Sequence, residues 1–329
     1  MTRAFICGLE GIALLPEEKV FLREAAPWGV ILFRRNVESR EQLRALTESV
    51  RDALGWQAPV LVDQEGGRVQ RLAAPHWRAY PSASAFASVD DPERMAWLGA
   101  RLMAHDLAEV GIDVDCLPVL DTPIEGAHAV IGDRAYSRDP AQIARRGRAA
   151  AEGLMAGGVL PVMKHVPGHG RAKSDSHLEL PVVDAPRAEL EAVDFPPFTA
   201  NADLPMAMSA HVVFTAIDPS APATQSRIVI DEVIRGRIGF DGLLMTDDLS
   251  MKALSGTFRE RAEKSIAAGC DIVLHCNGKL DEARPVAEGA PTLSGKALAR
   301  AQAALALRKG QDIDVVAAIA EFESAMAAA

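Results

Sequence analysis

Apolar residues along the chain gather into short, dense runs at 4–9, 28–33, 59–62, 112–117, 161–166, 205–210, 242–246 and 271–276. Each run is of strand length and rich in Val, Ile, Leu or Met. None alternates cleanly, which is the pattern of strands covered on both faces. Longer stretches lie between them, among them 39–54, 91–110, 139–157 and 257–268, with apolar residues at helical spacing. Asp139-Pro140 and Ser255-Gly256-Thr257 precede two of these as helix caps do. Eight strands alternating with helices predict an α/β fold, a (β/α)8 TIM barrel of about 250 residues with decoration. A doubly wound open sheet is the rival. It calls for a GxGxxG after the first strand, and Gly8-Leu9-Glu10-Gly11 does not match. No linker, repeat or composition break divides the chain. Residues 1–329 are therefore read as a single TIM-barrel domain, with a helical extension at about 292–329 that ends in an Ala-rich helix over 312–329.

Composition agrees with a large core: 49% of residues are hydrophobic and 24% charged. The net charge of -10 comes with no basic face or tail, which argues against nucleic acid as a partner. The first twenty residues carry an apolar stretch broken by Glu10 and followed by Glu17 and Glu18, unlike a signal peptide. No segment approaches the ~20 apolar residues of a membrane span. The expectation is a cytoplasmic monomer that neither meets a membrane nor carries a cofactor. Cys7, Cys116, Cys270 and Cys276 are scattered without a CxxC pair, so buried thiols are expected instead of disulfides or a zinc site.

In a barrel of this kind, chemistry belongs at the C-terminal ends of the strands. Ionisable residues follow four of the runs: Asp63-Gln64-Glu65, Lys164-His165, His211 and Asp247-Asp248. The densest segment, from Lys164 to Pro181, holds His165, His169 and His177 with Lys173 and Asp175. Gly168 and Gly170 give it backbone freedom. Such a loop can close over a substrate. Asp175 and His177 are two apart, so an extended loop would let the carboxylate orient the imidazole. The plain alternative is a solvated loop whose histidines cap local structure. A metal site is a further alternative, though the spacing is not HExxH and two lysines lie close by. Asp247 directly ends an apolar run and suits a pocket, whereas Asp248 suits a helix cap, because adjacent side chains on an extended strand diverge. The stretch 62–72 combines carboxylates, Gly66-Gly67 and two arginines, a set fit for a hydroxyl-rich ligand. Arg134, in 130–136, carries little meaning alone.

Taken together these segments resemble glycoside hydrolase family 3, in particular its single-domain bacterial β-N-acetylhexosaminidases of cell-wall recycling. The matching pieces are GVILFRRN (29–36), VDQEGGRVQRL (62–72), PVLDT (118–122), VIGDRAYSRDP (130–140), KHVPGHG with DSH (164–177), MSAHVVF (208–214) and TDDLSM (246–251). Val166 and Thr246 stand where Phe and Ser are common. The resemblance implies that Asp247 is a nucleophile, His177 a general acid/base and Asp175 its partner. It implies that Asp63, Arg71, Arg134, Lys164 and His165 hold the terminal sugar. The expected reaction is retaining hydrolysis of terminal β-linked N-acetylglucosamine from muropeptides during peptidoglycan recycling, through a glycosyl-enzyme intermediate. A phosphorylase of the same architecture, a metal-dependent amidohydrolase and a non-catalytic sugar-binding protein are the alternatives.

Overall fold

Every apolar run becomes a strand. The computed structural model describes residues 1–176 and 178–328. Its main sheet comprises β1 (Arg3–Gly8), β2 (Pro27–Leu32), β3 (Val60–Val62), β4 (Val114–Asp115), β5 (Leu160–Val166), β6 (Met206–Ser209), β7 (Leu243–Asp248) and β8 (Ile272–His275). All are parallel, they pair in chain order, and β8 closes on β1. The closed barrel is the TIM architecture expected, and the open-sheet rival falls away. Helices Arg40–Leu54, Pro92–Glu109, Pro140–Ala156 and Phe258–Ala268 occupy the predicted stretches. Thr257 and Glu260 cap the last of these reciprocally, each side chain bonding the other's backbone N–H.

The barrel's two faces follow the period of two along a strand. Leu160 and Val162 of β5 pack inward with Val114, Met206, Met208, Leu243, Met245, Ile272 and Leu274. Met163, Ala207 and Leu244 pack outward with the helices. Continuing the inward set by one more step reaches Lys164 on β5 and Asp247 on β7. The same count sends His165 and Asp248 outward. The pairing register, however, shifts between Lys164 and Val166 against β6, and between Met245 and Asp248 against β8. Such irregularities re-aim a side chain at a barrel rim, and both neighbours also reach the pocket.

Towards the C-terminus, helix Gly295–Leu305 brings Ala301 and Ala304 to the interior cluster. It lies at the end of the barrel where the strands begin, since Leu293 N–H donates to Thr2 and Arg3 bridges Thr292. Helix Val315–Ala327 sets Phe322 against Tyr80 and Phe86, with ring centroids 6.3 Å apart in both pairs. All four cysteines are buried and free, as their spacing predicted. Among the described residues no helix is long and apolar enough to cross a membrane.

Candidate active site

A pocket of about 230 Å³ opens where the strands end. It is smaller than the ~300–1,000 Å³ typical for drug-sized ligands, a size suited to one sugar ring. Asp63, Arg71, Arg134, Lys164, His165, Asp175 and Asp247 all line it. Seven residues singled out along 185 positions of chain thus converge on one cavity. His177 lies outside the described residues.

Lys164 sits at the centre of the polar wall and is almost wholly buried. Its Nζ lies 2.8 Å from Asp63 Oδ1 and 2.6 Å from Glu65 Oε1. Arg71 Nη2 donates to Asp63 Oδ2 at 3.1 Å. Arg134 grips Glu65 with both ends of its fork, at 2.8 and 2.9 Å. Burial alone would lift both carboxyls, but Lys164 and Arg71 hold Asp63 far below the usual carboxylate range, and Lys164 and Arg134 lower Glu65. Burial also works against the Lys164 charge, yet Asp63 and Glu65 raise its affinity for the proton. Asp63, Glu65, Lys164 and Arg134 are therefore charged at neutral pH. Three cations against two carboxylates leave one positive charge over, and such charged donors form strong hydrogen bonds to sugar hydroxyls.

Glu65 was seen at its strand end but given no role, though a signal was there. Asp63 and Glu65 are two apart, so on an extended segment they share a face. Glu65 lies on the short strand Gln64–Gly66, paired with Val69–Gln70, and Asp63 directly precedes it. Gln64 stitches the hairpin: Oε1 accepts the Arg71 and Leu72 N–H groups, and Nε2 donates to the Leu72 carbonyl. Gly66 takes φ +89°, and a Cβ there would sit 2.1 Å from the Pro81 carbonyl oxygen, so only glycine fits the turn.

His165 is fixed by a residue that the sequence left without a role. Asp121 is fully buried, and its Oδ2 lies 2.6 Å from His165 Nδ1. The same carboxylate accepts the His169 N–H at 2.6 Å. Burial opposes its charge, but the His165 and His169 side chains and the His169 N–H keep Asp121 below its ordinary range. The His169 ring meets His165 edge to face at 5.6 Å and also lines the pocket. Burial and the neighbouring His165 push its pKa down to about 4, so it is neutral at pH 7. His165 and His169 are held, contrary to the solvated alternative. Gly170 permits the close approach, since a Cβ would come 2.0 Å from the Thr122 carbonyl oxygen.

At the end of β7, Asp247 Oδ1 accepts the Asp248 N–H at 2.8 Å. Asp248 does not cap a helix as expected. It accepts the N–H groups of Ser250 and Cys276, tying the end of β7 to that of β8. Thr246 adds to this tie by accepting the Leu274 N–H at 2.9 Å. The Asp248 carbonyl is held from beneath by His211 Nε2 at 3.0 Å. His211 Nδ1 lies 2.8 Å from Thr224 Oγ1, and that hydroxyl 2.8 Å from Ser209 Oγ. All three side chains are fully buried. With Nε2–H donating to the carbonyl, the neutral His211 offers Nδ1 as an acceptor, and Thr224 Oγ1 also lies 2.9 Å from the Ala210 carbonyl oxygen, the other acceptor for its single proton. No group of three His, Cys, Asp or Glu among the described residues is placed to hold a metal ion.

The sequence model of the Glycosyl hydrolase family 3 N terminal domain matches residues 15–306. A β-hexosaminidase from Chromobacterium violaceum is 38% identical over 328 residues, covering 97% of this chain and 91% of its own. The structure of NagZ from Neisseria gonorrhoeae, in complex with N-trifluoroacetyl-D-glucosamine, superposes with a TM-score of 0.85 at 34% identity. It covers 99% of this chain and 96% of that one. A family 3 β-N-acetylglucosaminidase from Paenibacillus sp. superposes with a TM-score of 0.86 at 28% identity, and this chain spans 62% of it. The chain belongs to glycosyl hydrolase family 3, and within that family to the β-hexosaminidases.

Proposed function

We propose that the enzyme removes terminal β-linked N-acetylglucosamine from muropeptide fragments, such as its disaccharide with anhydro-muramic acid, with retention of configuration. The observation that carries this is the single pocket into which Asp247, Asp175 and the Lys164-centred network all face. A sugar bound by Asp63, Arg71, Arg134, Lys164 and His165 would present its anomeric carbon to Asp247. Asp247 attacks that carbon, and the bond to the leaving oxygen breaks. His177, as imidazolium partnered by Asp175, gives its proton to that oxygen. Water then attacks the glycosyl-aspartate, His177 takes the water's proton, and Asp247 leaves. An imidazole suits both directions near neutral pH and adds no second anion beside the nucleophile. The relative that binds an N-acylated glucosamine supports a 2-acylamino sugar as substrate.

The test is a comparison of a chromogenic β-N-acetylglucosaminide with the matching β-glucoside, with and without phosphate. Hydrolysis of the first alone, independent of phosphate and yielding free sugar, is expected. Sugar 1-phosphate as product would make the enzyme a phosphorylase instead. The muropeptide preference is checked by kcat/KM on the anhydro-muramic disaccharide with and without its peptide.

A further inference from the structure

The loop after β5 is tethered at both ends. At its root, Arg171 donates to Asp194 and Glu189, both at 2.6 Å. At its far end, Val182–Val183 pairs with Val213–Phe214. Between these anchors Leu178 and Glu179 are exposed, whereas Ser176 is buried to 2%. Two contacts hold Ser176 in. Its Oγ lies 3.3 Å from His169 Nε2, and its carbonyl accepts the Ala253 N–H at 3.2 Å. His169 belongs to the root of the same loop and leans on His165. Ala253 belongs to a different loop, the one that follows Asp247.

We infer that Ser176 is a positioning residue, a clip that fixes the proton-transfer loop against the loop behind the nucleophile. Ser176 stands between Asp175 and His177 in the chain, so holding it anchors the segment that carries the proposed proton-transfer pair. Its hydroxyl joins a line running from Asp121 through His165 and His169, so the loop is referenced to a wall of the sugar pocket. Its carbonyl references the same loop to the β7 side. Neutral His169 suits this place, because a hydroxyl can donate to an uncharged ring nitrogen or accept from it. This inference rests on the proposed acid/base role of the loop.

The test is the dependence of rate on leaving group in Ser176→Ala, His169→Phe, the double variant and His177→Ala. Protonation matters for a poor leaving group, such as a sugar hydroxyl, and much less for dinitrophenolate. A general acid supplies about 10²–10⁴-fold, so a mispositioned one loses a part of that. Ser176→Ala is expected to lower kcat on the disaccharide by about tenfold or more, with little change on the dinitrophenyl substrate. The double variant is expected to lose no more than the worse single one, because both remove the same contact. Equal losses on the two substrates, or losses that multiply in the double variant, would overturn the inference and leave Ser176 a packing residue. His177→Ala separates the two levels. If it shows the leaving-group effect and Ser176→Ala does not, the clip is wrong and the acid/base assignment stands. If His177→Ala shows none, the assignment fails and the clip fails with it.

Discussion

At the scale of single residues, the site turns on Lys164. Among the described residues it alone bonds both Asp63 and Glu65. Lys164→Met would leave Asp63 with Arg71 and Glu65 with Arg134 and nothing joining the two buried pairs. Breaking a buried pair costs about 3–5 kcal/mol, so urea unfolding is expected to show a loss of that order. A hundredfold fall in kcat/KM should accompany it, since misplacing a substrate clamp costs about 10²-fold. Unchanged affinity for N-acetylglucosamine in this variant would remove Lys164 from sugar binding. His169 gives a pH prediction. Its folded pKa of about 4 lies below the ordinary 6.5. Between these values the unfolded chain holds more protons, so stability falls as pH drops from 6.5 towards 4. His169→Phe is expected to flatten that part of the stability–pH curve, and an unaltered slope would contradict the depressed pKa. Among residues, legibility followed ionisability at strand ends. Lys164, His165 and Asp247 were visible that way. Asp121 was not, because nothing local marks a carboxylate that acts on a strand elsewhere in the barrel.

At the scale of elements, all eight strands could be read from apolar density, because parallel strands are buried on both faces. The strand-end irregularities could not. Simple alternation assigns Lys164 and Asp247 to the pocket and turns His165 and Asp248 away, yet both line it, and the register shifts on β5 and β7 fall at these places. A bulge answers to pairing with a neighbouring strand, which the local sequence does not record. The support beneath β7 is equally non-local: Ser209, Thr224 and His211 reach the Asp248 carbonyl across two loops. Thr224→Val keeps the volume and removes the hydroxyl between the other two. It is expected to destabilise by about 1–3 kcal/mol and to lower kcat more than it alters KM, because the peptide it supports follows Asp247. A changed KM with kcat intact would mean that the chain serves binding instead.

For the whole molecule, the pocket occupies one end of the barrel, and the last two helices serve packing. Helix Val315–Ala327 stands against Pro92–Glu109 through Phe322, which is 3% exposed. Phe322→Ala is expected to cost about 3–5 kcal/mol and to lower Tm while KM stays as it was. A shift in KM would link this helix to the pocket. The order of β and α patterns sufficed to reveal the architecture. The chemistry needed the closed barrel, since Asp63 and Asp247 lie far apart in the chain and meet only around one cavity.

The most direct measurement is mass spectrometry of peptides after reaction with a 5-fluoro N-acetylglucosaminyl fluoride, which slows breakdown of a glycosyl-enzyme. One sugar on the peptide bearing Asp247, and none in Asp247→Ala, is the expected result. A sugar attached to any other residue, or turnover that persists in Asp247→Ala, would contradict the assignment of Asp247 as nucleophile.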